Sequence, residues 1–193
     1  IDLQGVEIDD ALINDETKTF FNKSNRNLII GDFIDQKFDR QFDAVIMNPP
    51  YTRQEMISLE TKKKLQTIKN IAGIEMSAKA NLYVYFLLKG LFLLKTNGLL
   101  VAITYDSWLY SSFGTNLKKY LVEKHNLKKI IHFKNSAFDG VDVGATILVI
   151  EKNGITNFTK YSKYKSAQSF SLFTKKSMQQ SLTPNDLLNF NDY

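Results

Sequence analysis

Four consecutive residues, Asn48-Pro49-Pro50-Tyr51, carry the most specific chemical signal in the sequence, and we call them the proline corner. They follow the predicted strand 43–47, and paired prolines end a strand because they donate no backbone hydrogen bond and fix φ. The Asn48 side-chain oxygen and the Pro49 carbonyl could bind both hydrogens of a delocalised amine and favour the pyramidal nitrogen that attacks a sulfonium methyl group. Tyr51 would stack on the flipped-out base that carries this amine. A simple strand-ending turn is the alternative.

Acidic residues follow two strands that we predict upstream. Glu7 ends the first strand, where a carboxylate can accept hydrogen bonds from both hydroxyls of a ribose. Asp32 follows the second and could accept from an adenine amine, while Phe33 lies against the purine face. An acidic start to a helix and a Gly-Asp turn are the structural alternatives for these two positions.

These strand ends need a sheet that brings them to one edge. Short β-rich runs alternate with helical stretches, which indicates an α/β fold: a doubly wound, mostly parallel sheet with helices on both faces. We predict strands at 3–7, 27–30, 43–47, 98–104, 128–133 and 145–151. We predict helices at 9–23, 54–70, 80–95 and 112–125. Ligands of such sheets bind outside the carboxyl ends of the strands. After the strand 98–104, Tyr105 and Trp108 either line the cleft or pack in the core, and we assign neither to the site.

A change in composition near residue 153 divides the chain into a catalytic core, 1–152, and a final segment, 153–193. We expect one more strand near 158–164 and then a linker. Lysines alternate with aromatic residues in this segment, a pattern that can follow a phosphate backbone and stack on bases. We favour the alternative of a solvated strand with a polar tail.

Composition excludes several kinds of chemistry. The 193 residues contain no cysteine, so disulfides, thiolate zinc sites and a cysteine nucleophile are excluded, and with them methylation at cytosine C5. The two histidines lack a spaced set of partners, so we predict no metal site. The longest apolar run, 82–94, is shorter than the ~20 residues that span a membrane. We see no secretory signal and predict a cytoplasmic protein.

The proline corner resembles the signature of amino-methyltransferases. The sequence as a whole resembles the adenine-specific methylase domain of restriction-modification enzymes, of the type I and Eco57I-like (type IIG) kind. The likeness includes the segments 81–86, 98–104, 117–123, 130–133, 137–138 and 143–150. It implies a Rossmann-like methyltransferase fold, S-adenosylmethionine as cofactor, and transfer to the N6 amine of a flipped adenine in double-stranded DNA.

The resemblance also implies roles for particular residues. Phe138 packs on the flipped base opposite Tyr51, and Asn48, Pro49 and Tyr51 are the catalytic residues. The implied cofactor-binding residues are Glu7, Ile8, Asp32, Phe33 and Asn48.

Two departures from the family bear on activity. Family members carry a glycine-rich turn after a strand that precedes the first one predicted here, so we expect the fold to be incomplete at the N-terminus. They read DNA through a separate recognition domain or subunit after the catalytic core, and we expect it to be missing here. The segment 181–188 resembles the approach to that domain, and a nuclease is fused to such enzymes or associated with them. We therefore predict weak or no activity for the isolated chain.

Two further interpretations stay open. The same four residues occur in methyltransferases that modify an RNA base or a release-factor glutamine amide, whose acceptors are also planar, delocalised amines. A non-catalytic, truncated relative that binds nucleic acid is the second alternative.

Overall fold

The chain divides into two compact units, Ile1–Asp39 and Arg40–Tyr193. The computed structural model describes residues 1–75, 79–135, 143–165 and 178–190. Phe138, predicted to pack on the target base, lies outside the described residues. Within them, each unit builds its own sheet.

The first unit contains two parallel strands, β1 (Leu3–Glu7) and β2 (Arg26–Ile30). Their register pairs Glu7 with Ile30, so the last residues of the two strands lie opposite each other. Parallel pairing therefore places the segments that follow both strands at the same edge of this sheet, as the sequence predicts.

The connection between β1 and β2 is helical but broken. A 3-10 turn at Asp10–Leu12 precedes α1 (Asp15–Phe21), where a single helix over 9–23 was predicted. Asp9 accepts a hydrogen bond from the backbone of Ala11 and begins the turn, while Asn14 accepts from the backbone of Thr17 and begins the helix. Two capping residues thus start two short elements instead of one long one.

In the second unit, the described residues form a six-stranded sheet in the order β3-β4-β6-β5-β7-β8. The strands are β3 (Phe42–Met47), β4 (Leu94–Tyr105), β5 (His125–Phe133), β6 (Ala145–Lys152), β7 (Thr159–Tyr164) and β8 (Met178–Leu182). β3 pairs in parallel with β4, and β5 with β7. β6 runs antiparallel between β4 and β5, and β8 runs antiparallel to β7. The other four strands share one direction, so the predicted mostly parallel α/β fold is confirmed.

Among the described residues of this unit, the α-helices are α2 (Leu59–Ala72), α3 (Leu82–Leu93), α4 (Ser107–Tyr110), α5 (Ser112–Lys124) and α6 (Pro184–Leu188). α3 packs on β3 and β4, and α5 packs on β5. No residue of α3 is exposed, since six of its twelve residues are buried and the other six are half-buried, which explains why its sequence is almost continuously apolar. No helix in the described ranges has the length and apolarity needed to cross a membrane.

Residues 178–188 are regular where we predicted a linker. β8 extends the sheet beside β7. β7 confirms the strand predicted near 158–164. α6 then begins with a capping box, in which Thr183 and Asp186 bond each other's backbone amides, and with Pro184 in its first turn. These local signals explain the helix, since both stabilise a helix start.

His125 makes the stability of this unit depend on pH. Its side chain is buried, its Nδ1 accepts a hydrogen bond from the Asn153 backbone at 3.2 Å, and its Nε2 has no partner within the described part of the chain. Burial, followed by the positive charge of Lys152, lowers the pKa of His125 to about 4. The folded state therefore holds a neutral imidazole, whereas the unfolded chain takes up a proton below its ordinary pKa of about 6.5.

We expect the contribution of His125 to be fully present above pH ~6.5 and to be lost as the pH falls towards 4. The loss from this one group amounts to about 3 kcal/mol in the free energy of unfolding. Denaturant titrations at several pH values should show a shallower acid slope for His125→Asn, which keeps an acceptor but does not titrate. Equal slopes for both proteins would contradict the assignment.

Candidate active site

The proline corner directly follows the carboxyl end of β3, and its four residues form no regular secondary structure. Met47, the residue before it, is paired with Ala102 of β4, so the strand is held up to the point where the corner begins. Asn48 is exposed, Pro49 is buried and Tyr51 is half-buried. The corner is therefore anchored through Pro49 and presents the Asn48 amide at the surface.

Tyr51 is fixed by contacts at both ends of its side chain. Its hydroxyl donates to Asn48 Oδ1 at 2.5 Å and lies 3.2 Å from the Ile103 carbonyl oxygen of β4. Its ring stacks on that of Tyr105, with centroids 4.3 Å apart and planes 22° apart. Burial, followed by the neighbouring Tyr105, raises the pKa of Tyr51 to about 12. Tyr51 thus stays protonated, and its hydroxyl remains a donor, near neutral pH.

The chain after the corner is also held. The Thr52 carbonyl oxygen accepts a hydrogen bond of 3.0 Å from the backbone of Leu82, the first residue of α3. Since β3 fixes the residue before the corner and α3 fixes the residue after it, the corner is supported on both sides by core elements. The apolar helix α3 therefore contributes to the position of the corner through its first residue.

Tyr105 contacts the proline corner through its stack on Tyr51, although the sequence left open whether it lines the cleft or packs in the core. It is the last residue of β4 and pairs with Ala145 of β6. A positional signal was available, because Tyr105 ends a strand in the same way as the residues chosen at the other strand ends. Trp108, by contrast, is fully buried and donates to Thr146 Oγ1 at 2.9 Å, so it packs in the core.

Both histidines take part in the packing of the sheet. His132 is fully buried and links two side chains, with Nδ1 2.7 Å from the Tyr161 hydroxyl and Nε2 3.1 Å from Asp106 Oδ2. In the described part of the chain, no group of three or more histidine or acidic side chains could hold a metal ion. His132 thus has a structural role in these contacts.

The predicted cofactor residues of the first unit lie at the ends of β1 and β2. Glu7 ends β1, and its Oε1 accepts from the Asp9 backbone at 2.9 Å, which orients the carboxylate. Asp32 follows β2, and its Oδ1 accepts from the Ile34 backbone at 2.8 Å. A carboxylate has about four lone-pair sites, so each group can accept further hydrogen bonds.

Two apolar side chains accompany these carboxylates. Ile8 is 67% exposed, and Phe33 is half-buried with its ring centroid 6.2 Å from that of Phe38. Carboxylates for ribose hydroxyls and an adenine amine, together with apolar groups for a purine face, fit the nucleoside part of S-adenosylmethionine. It stays a prediction that the proline corner of the second unit faces these four residues of the first unit.

The α/β fold described above is shared with solved methyltransferase structures. A class I S-adenosylmethionine-dependent methyltransferase from Listeria monocytogenes has a TM-score of 0.67 at 16% identity, over 88% of this chain and 52% of that one. The type IIG restriction endonuclease BpuSI has a TM-score of 0.66 at 16% identity, over 86% of this chain and 22% of that one. These likenesses establish the fold.

The sequence match is narrower and identifies the family. The model of the Eco57I restriction-modification methylase family matches residues 3–138, and the chain belongs to this family. The type II methyltransferase M.AccI of Acinetobacter calcoaceticus is 27% identical over 173 residues, which cover 89% of this chain and 32% of that protein. The chain therefore spans about a third of the length of this relative.

Proposed function

We propose that this chain is the catalytic core of an enzyme that transfers a methyl group from S-adenosylmethionine to the N6 amine of adenine in double-stranded DNA. The observation that carries the proposal is the proline corner, which presents an exposed amide oxygen beside an aromatic ring at a strand end. Membership of a restriction-modification methylase family, and a relative named as a type II methyltransferase, support DNA as the substrate.

The cofactor would be held by residues at the ends of β1 and β2. Glu7 would bind the ribose hydroxyls, Asp32 the adenine amine, and Ile8 and Phe33 the apolar faces of the purine. When bound, S-adenosylmethionine supplies a methyl group on a positively charged sulfur. Asn48 would also contact the cofactor.

The residues of the proline corner would activate the amine. Asn48 Oδ1 would accept one hydrogen of the N6 amine and the Pro49 carbonyl oxygen the other, which draws the nitrogen lone pair out of conjugation with the ring. Because an amide oxygen has two lone pairs, Oδ1 can accept this hydrogen while it keeps the hydrogen bond from Tyr51. Tyr51 would stack on the flipped base, with Phe138 on the opposite face.

Further partners belong to the same proposal. A recognition domain or subunit would select the DNA site, and a nuclease would be fused or associated, as in restriction-modification enzymes. Such an enzyme would work on DNA in the cytoplasm. The isolated chain is expected to transfer methyl groups weakly or not at all.

The experiment that tests the proposed substrate is a parallel labelling assay. Protein expressed from the complete reading frame is incubated with methyl-labelled S-adenosylmethionine and with duplex DNA, ribosomal RNA or release factor. We expect label only on DNA, recovered as N6-methyladenine after digestion. Label confined to RNA or protein would replace the DNA assignment with one of the alternatives. Absence of cofactor binding would favour a non-catalytic relative.

Glu7→Gln should weaken cofactor binding. The substitution keeps the shape of the side chain but removes a charged acceptor, and hydrogen bonds to charged groups contribute about 1.5 to 3 kcal/mol, which corresponds to about a 10- to 100-fold rise in Kd. Calorimetric titration of S-adenosylmethionine into the complete protein measures this change. Asp10→Asn is the matched control, because it also removes one negative charge, from an exposed side chain three residues away, and it should leave the Kd unchanged. Equal affinities for Glu7→Gln and the unaltered protein would remove Glu7 from the site.

A further inference from the structure

The stacked pair formed by Tyr51 and Tyr105 points to a role for a residue outside the assigned site. We propose that Tyr105 is a positioning residue, which holds the ring of Tyr51 in the orientation in which Tyr51 meets the target base. This inference rests on the proposed function, since it concerns how the same base is bound.

The geometry of the pair is that of an aromatic stack. The ring centroids of Tyr51 and Tyr105 are 4.3 Å apart, and the planes deviate from parallel by 22°. Two rings at this distance leave no space for a third ring between them. A base that stacks on Tyr51 while this pair is intact therefore uses the face of Tyr51 that points away from Tyr105.

Of the two rings, Tyr105 is attached to the more rigid backbone. It is paired with Ala145 in the sheet, whereas Tyr51 lies in a segment without regular structure. Thr104, the residue before Tyr105, is fully buried, and its hydroxyl lies 3.0 Å from that of Thr146. Tyr105 thus follows a firmly held residue at the end of β4.

The residue after Tyr105 is held as well. The Asp106 backbone donates to the Gly144 carbonyl at 3.1 Å, and the Asp106 carboxylate lies 3.1 Å from Nε2 of the buried His132. With both neighbours bonded to other elements, the Tyr105 backbone is fixed and its ring serves as the reference against which Tyr51 aligns.

The same strand also controls the hydroxyl end of Tyr51. The Ile103 carbonyl oxygen of β4 lies 3.2 Å from this hydroxyl, which in turn bonds Asn48 Oδ1. A rotation of the Tyr51 ring away from Tyr105 would therefore also move the donor that orients the Asn48 amide. Tyr105 acts through Tyr51 on both the stacking surface and the acceptor of the site.

Variants of both tyrosines test this inference in protein expressed from the complete reading frame, saturated with S-adenosylmethionine. The probes are labelled single strands of about twelve nucleotides, a length within the usual range of binding sites. One strand is all thymine, and the other carries one adenine among thymines, so their Kd ratio measures recognition of the base without a flipping step. Anisotropy titrations compare the unaltered protein with Tyr51→Ala, Tyr105→Leu and Tyr105→Phe.

We expect Tyr105→Leu to weaken binding of the adenine strand about three- to tenfold, in line with the strength of an aromatic pair. Binding of the thymine strand and of the cofactor should stay unchanged, which a general loss of structure would not allow. Tyr105→Phe should restore adenine binding to within about twofold, because it restores the aromatic stack. Tyr51→Ala should abolish the preference for adenine.

Several outcomes would overturn the inference while the proposed function stands. In one such outcome, Tyr51→Ala abolishes the preference for adenine, but Tyr105→Leu leaves that preference intact. Another is tighter adenine binding by Tyr105→Leu, which would make Tyr105 a group that the base displaces. Failure of Tyr105→Phe to rescue would show that the ring contact is not the cause. An unaltered protein without any preference for adenine would overturn the proposed function, and this inference with it.

Discussion

Replacing Asn48 by alanine is expected to lower the rate of methyl transfer to DNA about 10²- to 10³-fold, the usual cost of removing one preorganised hydrogen-bonding group from a transition state. Asn48 is exposed at the end of β3, and its Oδ1 is held by the Tyr51 hydroxyl at 2.5 Å. The alanine variant loses the acceptor that draws the amine lone pair out of conjugation. Because Pro49 and the strand before it are unchanged, the corner should keep its backbone path.

The measurement is single-turnover transfer of labelled methyl groups to duplex DNA, with protein expressed from the complete reading frame. Single-turnover conditions separate the chemical step from product release. Asn70→Ala is the matched control, since Asn70 is exposed on α2 and its side chain accepts a hydrogen bond from Gln66 of the same helix. The control should transfer at the unaltered rate. If Asn48→Ala transferred as fast as the control, the proline corner would not be the catalytic site.

The strands of this protein could be predicted closely because they follow a pattern with few alternatives. β1 spans Leu3–Glu7, the residues predicted for it, and β3 and β6 each differ from the prediction by one residue. β4 and β5 begin four and three residues before their predicted starts. β6 is mostly buried and is an almost continuous apolar run before the polar residues that follow it. The paired prolines after β3 leave no choice about where that strand ends.

The helix boundaries were harder to predict, because capping residues decide them. The helix expected from residue 54 begins instead at Leu59, where Ser58 accepts from the Thr61 backbone, and Gln54–Met56 form a separate 3-10 turn. Serine is a common N-cap but also a common surface residue, so its role emerges only with the helix it begins. α4, with four residues, is too short to show a helical period.

Long-range pairing was the part that the sequence could not supply. β8 joins β7 across the segment 165–177, and no local pattern specifies such a partner. The same holds for Tyr105, which is 54 positions from Tyr51 in the chain but stacks on it in the fold. A strand end indicates that a residue can reach the site, whereas its actual contact depends on how β3 and β4 are aligned.

Gly114→Ala is expected to have the largest effect on stability. Gly114 lies in the first turn of α5, is buried, and packs against the backbone of α4. A Cβ atom placed there would overlap the Trp108 carbonyl oxygen and lie 2.5 Å from its carbonyl carbon. These are backbone atoms, so no side-chain rotation relieves the overlap, and α4 and α5 must move apart.

We expect this substitution to cost about 3 kcal/mol or more, the upper end of overpacking effects, and to lower the Tm by roughly 10 °C. Thermal unfolding followed by circular dichroism measures the change. Gly73→Ala is the matched control, because a Cβ atom there meets nothing within 4 Å. The left-handed φ of 63° alone disfavours alanine at this position, at a cost of about 1 to 2 kcal/mol.

The position of Gly114 connects this stability effect to the proposed site. Trp108, whose carbonyl would be displaced, donates to Thr146, and Thr146 contacts the hydroxyl of Thr104, the residue before Tyr105. Separation of α4 from α5 should therefore also loosen the end of β4 that supports the Tyr51 stack. We expect Gly114→Ala to lose adenine binding at temperatures where Gly73→Ala keeps it. A Gly114→Ala protein with the Tm of the Gly73→Ala control would show that α4 and α5 do not approach this closely.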